Sequence, residues 1–332
     1  MPTPATASAL PHRRALELRL GHSLALFAFF SLLALALVQT GCAGAGGPPT
    51  GAATAAAWRA PPGQALLLGE VHDNAAQHAL RARGLAALLA QGDRPALLME
   101  QFDRERQPAM DALRAGGAIP PAAALEAQVD ALVQLGGTGW DWPLYKPYLR
   151  LALAHGLPLL AANVSRTEAR QVMQQGLAAG GWQAAVPDDI RQAHTQAIVD
   201  SHCGQLDAAG AARLALAQVA RDQFMARLVA QQLAGGAVLL AGNGHVRTDI
   251  GVPRWLAPAV RARTRVVGAL EAGDAGSQAF DSVLTTPAQT RPDPCAGLRM
   301  PAGPTSSRPA SINAATGGSG TTDTSKPQLR PS

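Results

Sequence analysis

Four short segments of this 332-residue chain place acids, imidazoles or guanidiniums directly after an apolar run. Ala65 to Gly69 leads into Glu70, His72 and Asp73, and Pro95 to Met99 into Glu100, Gln101 and Asp103. Leu157 to Ala162 leads into Asn163 and Arg166, and Ala237 to Gly242 into Asn243, His245 and Arg247. A fifth run, Arg265 to Leu270, ends at Glu271. Carboxylates and imidazoles ligate divalent cations and also move protons near neutral pH. Glu70, His72, Glu100 and His245, gathered on one edge, would therefore suit a divalent-metal centre or an acid–base pair. Structural alternatives stand beside each. Asn74 and Gln77 have the spacing of a helix capping box, His78 then lies one turn inside that helix, and Glu100 could pair with Arg104 or Arg106.

Aromatic residues are scarce, yet the stretch from Trp140 to Tyr148 holds both tyrosines and two of the five tryptophans. Such a patch suits a flat apolar ligand, and a tyrosinate can serve as an axial ligand to ferric haem. The alternative is the start of a helix packed on the core, with Pro143 in its first turn. A third feature is AQVARDQFMA, where Gln218, Asp222 and Met225 share one helical face. Asp222 there would support a neighbouring site or form a structural ion pair.

The elements that must position these groups follow from the pattern around them. The five runs are continuously apolar, as strands buried on both faces are. The segments between them carry helical spacing, for example Leu80, Leu85, Leu88 and Leu89. Strand and helix in alternation predict an α/β domain over residues 64–284, a mostly parallel sheet flanked by helices. In such sheets ligands gather beyond the carboxyl ends of the strands, where the polar groups lie. The long gaps hold more helix than one crossover needs, which predicts a smaller helical subdomain over roughly 104–150 and 170–232.

Outside that domain the composition changes. Residues 1–41 combine Arg13, Arg14 and Arg19 with an uncharged apolar stretch from Ser23 to Val38, then Gln39, Thr40, Gly41 and Cys42. This reads as a signal peptide, and the ending resembles a bacterial lipobox in which Cys42 carries lipid; an uncleaved anchor is the competing reading. Either leader places the domain outside the cytoplasm. With lipid on Cys42 and no acidic residue at position 43, the expected location is the outer membrane of a double-membraned bacterium. Residues 42–63 read as a disordered tether and 285–332 as a mostly disordered tail, since neither holds enough large apolar side chains to offset the entropy of ordering. Cys203 and Cys295 are then an even pair in an oxidising compartment, compatible with a disulfide or with two free thiols. The 28 Lys and Arg against 23 Asp and Glu give a net charge of +5, and no basic run occurs. Nucleic-acid binding is not expected.

The strings LLLGEVHDNAAQH, MEQFDRERQPAMD, AANVSR, HCG, QVARDQFMA and LLAGNGHVRTDIGVP, in that order from Leu66 to Pro253, resemble the ChaN-type haem-binding lipoproteins. That family sits in a superfamily with Tiki-like metal-dependent proteases and erythromycin-esterase-like hydrolases. The resemblance implies a lipid-anchored protein of haem and iron acquisition, binding haem on the surface of a homodimer that pairs two haems face to face. It further implies tyrosine ligation of the iron, by Tyr145 or Tyr148, and delivery to or from an outer-membrane haem receptor. Arg166 and Arg247 would pair with the haem propionates. The superfamily's metal-site motifs correspond to Glu70, His72, Glu100 and His245, so the competing expectation is a hydrolase working through a divalent metal or through His and Glu directly.

Overall fold

The computed structural model describes residues 57–114, 119–293 and 295–296. The leader, Cys42, most of the tether and the tail beyond residue 296 lie outside the described residues, together with the expectations placed on them.

Six strands form one sheet: β1 (Ala65–Leu68), β2 (Ala96–Asp103), β3 (Leu159–Asn163), β4 (Ala237–Leu240), β5 (Thr264–Glu271) and β6 (Ser282–Thr286). Their order is β3-β2-β4-β1-β5-β6, and every neighbouring pair is parallel. The last strand to enter the centre, β4, lies between the first two, so Leu240 stands opposite both Leu68 of β1 and Met99 of β2. Polar residues that follow these three strands are thereby delivered side by side.

Side chains alternate across a strand, and here both faces are covered. Leu66 and Leu68 of β1 join one core, Ala65 and Leu67 the other; Val238 and Leu240 of β4 divide from Ala237 and Leu239 in the same way. The first face is packed by α1 (Ala75–Ala90), α2 (Gln107–Leu113), α3 (Ala122–Leu135) and α4 (Trp142–Ala154), and the second chiefly by α5 (Arg166–Gln175) and α7 (Ala208–Gln232). Between the latter two, α6 (Asp188–Ser201) packs on α7, and two single-turn helices, α8 (Asn243–Val246) and α9 (Pro258–Arg261), follow β4.

Each of the five apolar runs coincides with one strand; β3 extends past its run by one residue and β5 by one at each end, and β2 continues through Glu100 to Asp103. Of the surplus helices, those over 104–150 bury Met110, Val129, Leu132 and Leu149 into the same cluster as Leu66 and Leu85, whereas in 170–232 Ile198, Ala211 and Ala215 form a small cluster of their own. The packed region begins before residue 64: Trp58 and Ala60 are buried, and Arg59 forms a two-bonded ion pair with Asp93. At the other end β6 runs past residue 284 and Arg291 pairs with Asp73 and Glu271, and of the two expectations for Cys203 and Cys295 the disulfide is the one present, with 5.6 Å between Cα atoms.

Candidate functional site

Two glycines let the strand ends close together. A Cβ on Gly69 would sit 2.2 Å from the Asn243 side chain, and one on Gly242 would sit 2.9 Å from the His72 ring. Asn243 uses its amide structurally, exchanging hydrogen bonds with both backbone groups of Ala269 on β5. Asn74 caps α1, its side chain accepting from Gln77 N, while the Gln77 side chain accepts from Val71 N rather than completing a capping box.

Behind this edge lies a buried ionic cluster. The Glu70 carboxylate accepts hydrogen bonds from Arg81, from the Tyr145 hydroxyl at 2.6 Å and from His72 Nδ1 at 2.8 Å. Arg81 also donates to the Leu68 carbonyl at 2.9 Å. Burial alone would raise the Glu70 carboxyl, but the guanidinium of Arg81 and the neighbouring imidazoles outweigh it and hold it well below the usual carboxylate range. The glutamate is therefore an anion with its oxygens already taken.

A second chain of charges runs alongside. Glu100 accepts from Gly242 N at 2.7 Å and stands 3.5 Å from His245 Nε2, whose other nitrogen contacts Asp222 Oδ1 at 2.6 Å. The second Asp222 oxygen is 3.3 Å from His194 Nε2, an ion-pair distance without hydrogen-bond alignment. Burial would lower His245, but the carboxylates of Glu100 and Asp222 on its two sides raise it to about 10. For His72 burial also works downward and is outweighed by Glu70 and Glu100, leaving it above its usual value.

His72 is the exposed member, with half of its side chain open. It lies edge-on to Trp140 at 4.9 Å and lines two cavities. One, of about 450 Å³, is walled by Trp140, Gly137–Gly139, Glu100, Arg166, Arg221 and Gln218. The other, of about 420 Å³, takes in His194, Ile198, Asn243, Arg247 and Ile250. A wider cleft of about 710 Å³ around Arg104, Arg106 and Glu168 adjoins the first through Asp103 and Arg166 but holds none of the strand-end imidazoles.

Glu70, His72, Glu100 and His245 are thus brought to one edge. Among the described residues no group of three or more His, Cys, Asp and Glu is arranged to hold a metal ion. The Glu70 oxygens are engaged by Arg81 and Tyr145. Tyr145 and Tyr148, the tyrosines expected to ligate haem, lie in the core. Both have 0% exposure; the Tyr148 hydroxyl donates to the His78 carbonyl at 2.9 Å, and burial followed by the Glu70 charge raises the Tyr145 hydroxyl far above its usual value. Neither phenol oxygen reaches the surface in this arrangement. The aromatic stretch is the helical alternative, α4 with Pro143 in its first turn and its tyrosines facing the core. Arg166 lines the first cavity and donates to the Thr138 carbonyl, whereas Arg247 lines the second and is paired with Asp249 through two bonds.

Arg81 and His194 belong to the site without a motif to mark them. For Arg81 the available signal is its place on the buried side of α1, with His78, Leu85 and Leu88, where a guanidinium needs a partner. Arg221, on the same helix as Asp222, donates to Asn163 at 3.1 Å and so ties α7 to the end of β3.

Among curated proteins no sequence matches the chain. Of solved structures, the Campylobacter jejuni ChaN with cofacially bound haem is similar at 20% identity and a TM-score of 0.52, over 66% of this chain and 86% of that one. The type III effector HopBA1 is similar at 15% identity over 68% and 88%, with a TM-score of 0.33. An erythromycin esterase, EreC, in its open conformation is similar at 13% identity over 63% and 70%, with a TM-score of 0.35. The first likeness shows the shared fold. The model of the haem-binding uptake family of the Tiki superfamily, ChaN, matches residues 58–256, more than half of the sequence, and the chain belongs to that family.

Proposed function

We propose that this protein binds haem at the mouth formed by the ends of β1, β2 and β4, and serves haem and iron acquisition as a lipid-anchored protein of the outer membrane. The observation that carries the reading, beside family membership, is the open cavity of about 450 Å³, which has the Trp140 indole on one wall and Arg166 and Arg221 on its rim. An aromatic wall suits a flat apolar ring, and guanidiniums suit the two carboxylates at its edge. Bound haem supplies a Lewis-acidic iron. The chain's own residues would orient the ring against Trp140, neutralise its acids and offer the His72 imidazole from the cavity lining. The Campylobacter jejuni protein binds haem cofacially, and two copies of this chain meeting mouth to mouth would do likewise. An outer-membrane haem receptor is the partner expected of such a carrier.

The test of haem binding is titration of the lipid-free mature chain with hemin, followed by visible absorption. Saturable uptake with a shifted Soret band supports the reading, and hemin that stays unbound sinks it. For the anchor, Cys42→Ala should move the protein into the soluble periplasmic fraction; unchanged membrane association with the leader removed would refute lipidation.

A second reading rests on the Asp222–His245–Glu100 chain, which aligns a carboxylate, an imidazole and a second carboxylate beside His72. Such an arrangement suits proton transfer in hydrolysis without a metal. Ester or lactone hydrolysis by the wild-type chain, abolished in His245→Ala, would favour it.

A further inference from the structure

The chain has two tyrosines in all, and both are sealed in the core behind Glu70 and His78. Resting on the haem reading above, the question is which atom of this chain can meet the iron. No methionine, cysteine or lysine lines either cavity beside the strand ends. Of the described histidines, His78, His194 and His245 are buried and face Tyr148, Asp222 or Glu100, while His155 and His202 line neither cavity.

His72 differs from all of these. Its side chain is 49% exposed where it borders the two cavities, whereas His245, which borders both as well, has only 11% of its side chain open. Its Nδ1 is committed to Glu70 at 2.8 Å, and no hydrogen bond to its Nε2 occurs among the described residues. Because Glu70 is an anion that can only accept, Nδ1 carries a proton, and Nε2, on the ring edge beside Gly242, is the atom left for a ligand, which would displace the proton that Glu70 and Glu100 favour there. An imidazole backed by a carboxylate is a better electron donor and is fixed in orientation, which is how protein metal sites prepare a histidine ligand. Trp140, edge-on at 4.9 Å, holds the ring from the side.

We infer that His72 Nε2 is the axial ligand to haem iron in this chain, and that Tyr145 is a positioning residue acting through Glu70. The buried guanidinium of Arg81 keeps Glu70 charged, Tyr145 fixes one of its oxygens, and Glu70 in turn sets the tautomer and angle of His72. The aromatic residue suggested by its type is one step removed from the iron.

The experiment compares hemin spectra and affinities of full-length wild-type protein, His72→Gly, His72→Gln and Tyr145→Phe, with circular dichroism to verify folding. The wild-type ferric spectrum should be that of imidazole ligation, without a phenolate-to-iron band. His72→Gly should lose at least about tenfold in hemin affinity, and millimolar imidazole should restore the wild-type spectrum by filling the vacated place. His72→Gln keeps a donor for Glu70 but no imidazole, so it should fold and show the same loss. Tyr145→Phe should keep the imidazole-type spectrum but bind hemin more weakly, because Glu70 then orients His72 less firmly. A phenolate band in the wild type that disappears in Tyr145→Phe overturns the assignment, as does wild-type affinity and spectrum in both His72 variants. No hemin uptake by the wild type overturns the haem reading itself and this assignment with it.

Discussion

The Tyr145 hydroxyl donates to the Glu70 carboxylate at 2.6 Å across 75 residues of sequence, inside the core. One bond thus ties the aromatic helix α4 to the end of β1. Tyr145→Phe keeps the ring packing and removes that bond to a charged acceptor, so stability should fall by about 1.5–3 kcal/mol. The urea midpoint reads the change, and an unaltered midpoint would show that the bond contributes nothing net.

Arg81 is the partner that lets Glu70 remain ionised while buried. Arg81→Met strands the carboxylate and should cost about 3–5 kcal/mol, whereas Arg81→Met combined with Glu70→Gln should recover part of that loss. Equilibrium unfolding of the two variants checks the pair. If the double variant is no more stable than Arg81→Met, the two side chains are not coupled.

His245 governs a pH dependence whose sign follows from its neighbours. An unfolded histidine titrates near 6.5, and in the folded chain Glu100 and Asp222 raise His245 to about 10. The native state then holds the proton more tightly than the unfolded one. Its stabilisation is complete below about pH 6.5 and is lost as pH rises through about 10. His72, shifted in the same direction, adds to the slope. Urea unfolding across that window should show stability declining with pH, and Asp222→Asn should flatten the decline. A profile level between about pH 6.5 and about pH 10 contradicts the charged His245.

The Cys203–Cys295 bridge spans 92 residues and secures the segment in which Gln289 and Arg291 meet Glu271 and Asp73. Reduction, or Cys295→Ser, should lower stability by about 2–4 kcal/mol and expose residues after Thr286 to protease. Thermal melts with and without reductant, with mapped cleavage sites, test this. Equal melting temperatures and no new cleavage would place the segment's order elsewhere.

Read by itself, the sequence determined the parts of this protein that depend on local pattern. Continuous apolar runs at 65, 95, 157, 237 and 265 can only be satisfied by burial on both faces, which gives central parallel strands and the polar groups after them. The motifs then implied a family, and the family model agrees. β6 was not legible, because SVLTT offers only Val283 and Leu284 as an apolar run at the sheet margin and borders a Pro- and Thr-rich tail. What the tertiary structure decided were the partnerships. Only the insertion of β4 between β1 and β2 sets His245 beside Glu100 and leaves His72 at the mouth. Only the rotation of α4 on the sheet turns Tyr145 and Tyr148 inward, since a 3.6-residue period says which residues share a face but not which neighbour that face will meet. Arg81 completes Glu70 for the same reason: the ion pair lies between two elements, and its cost and its compensation exist only once both are packed.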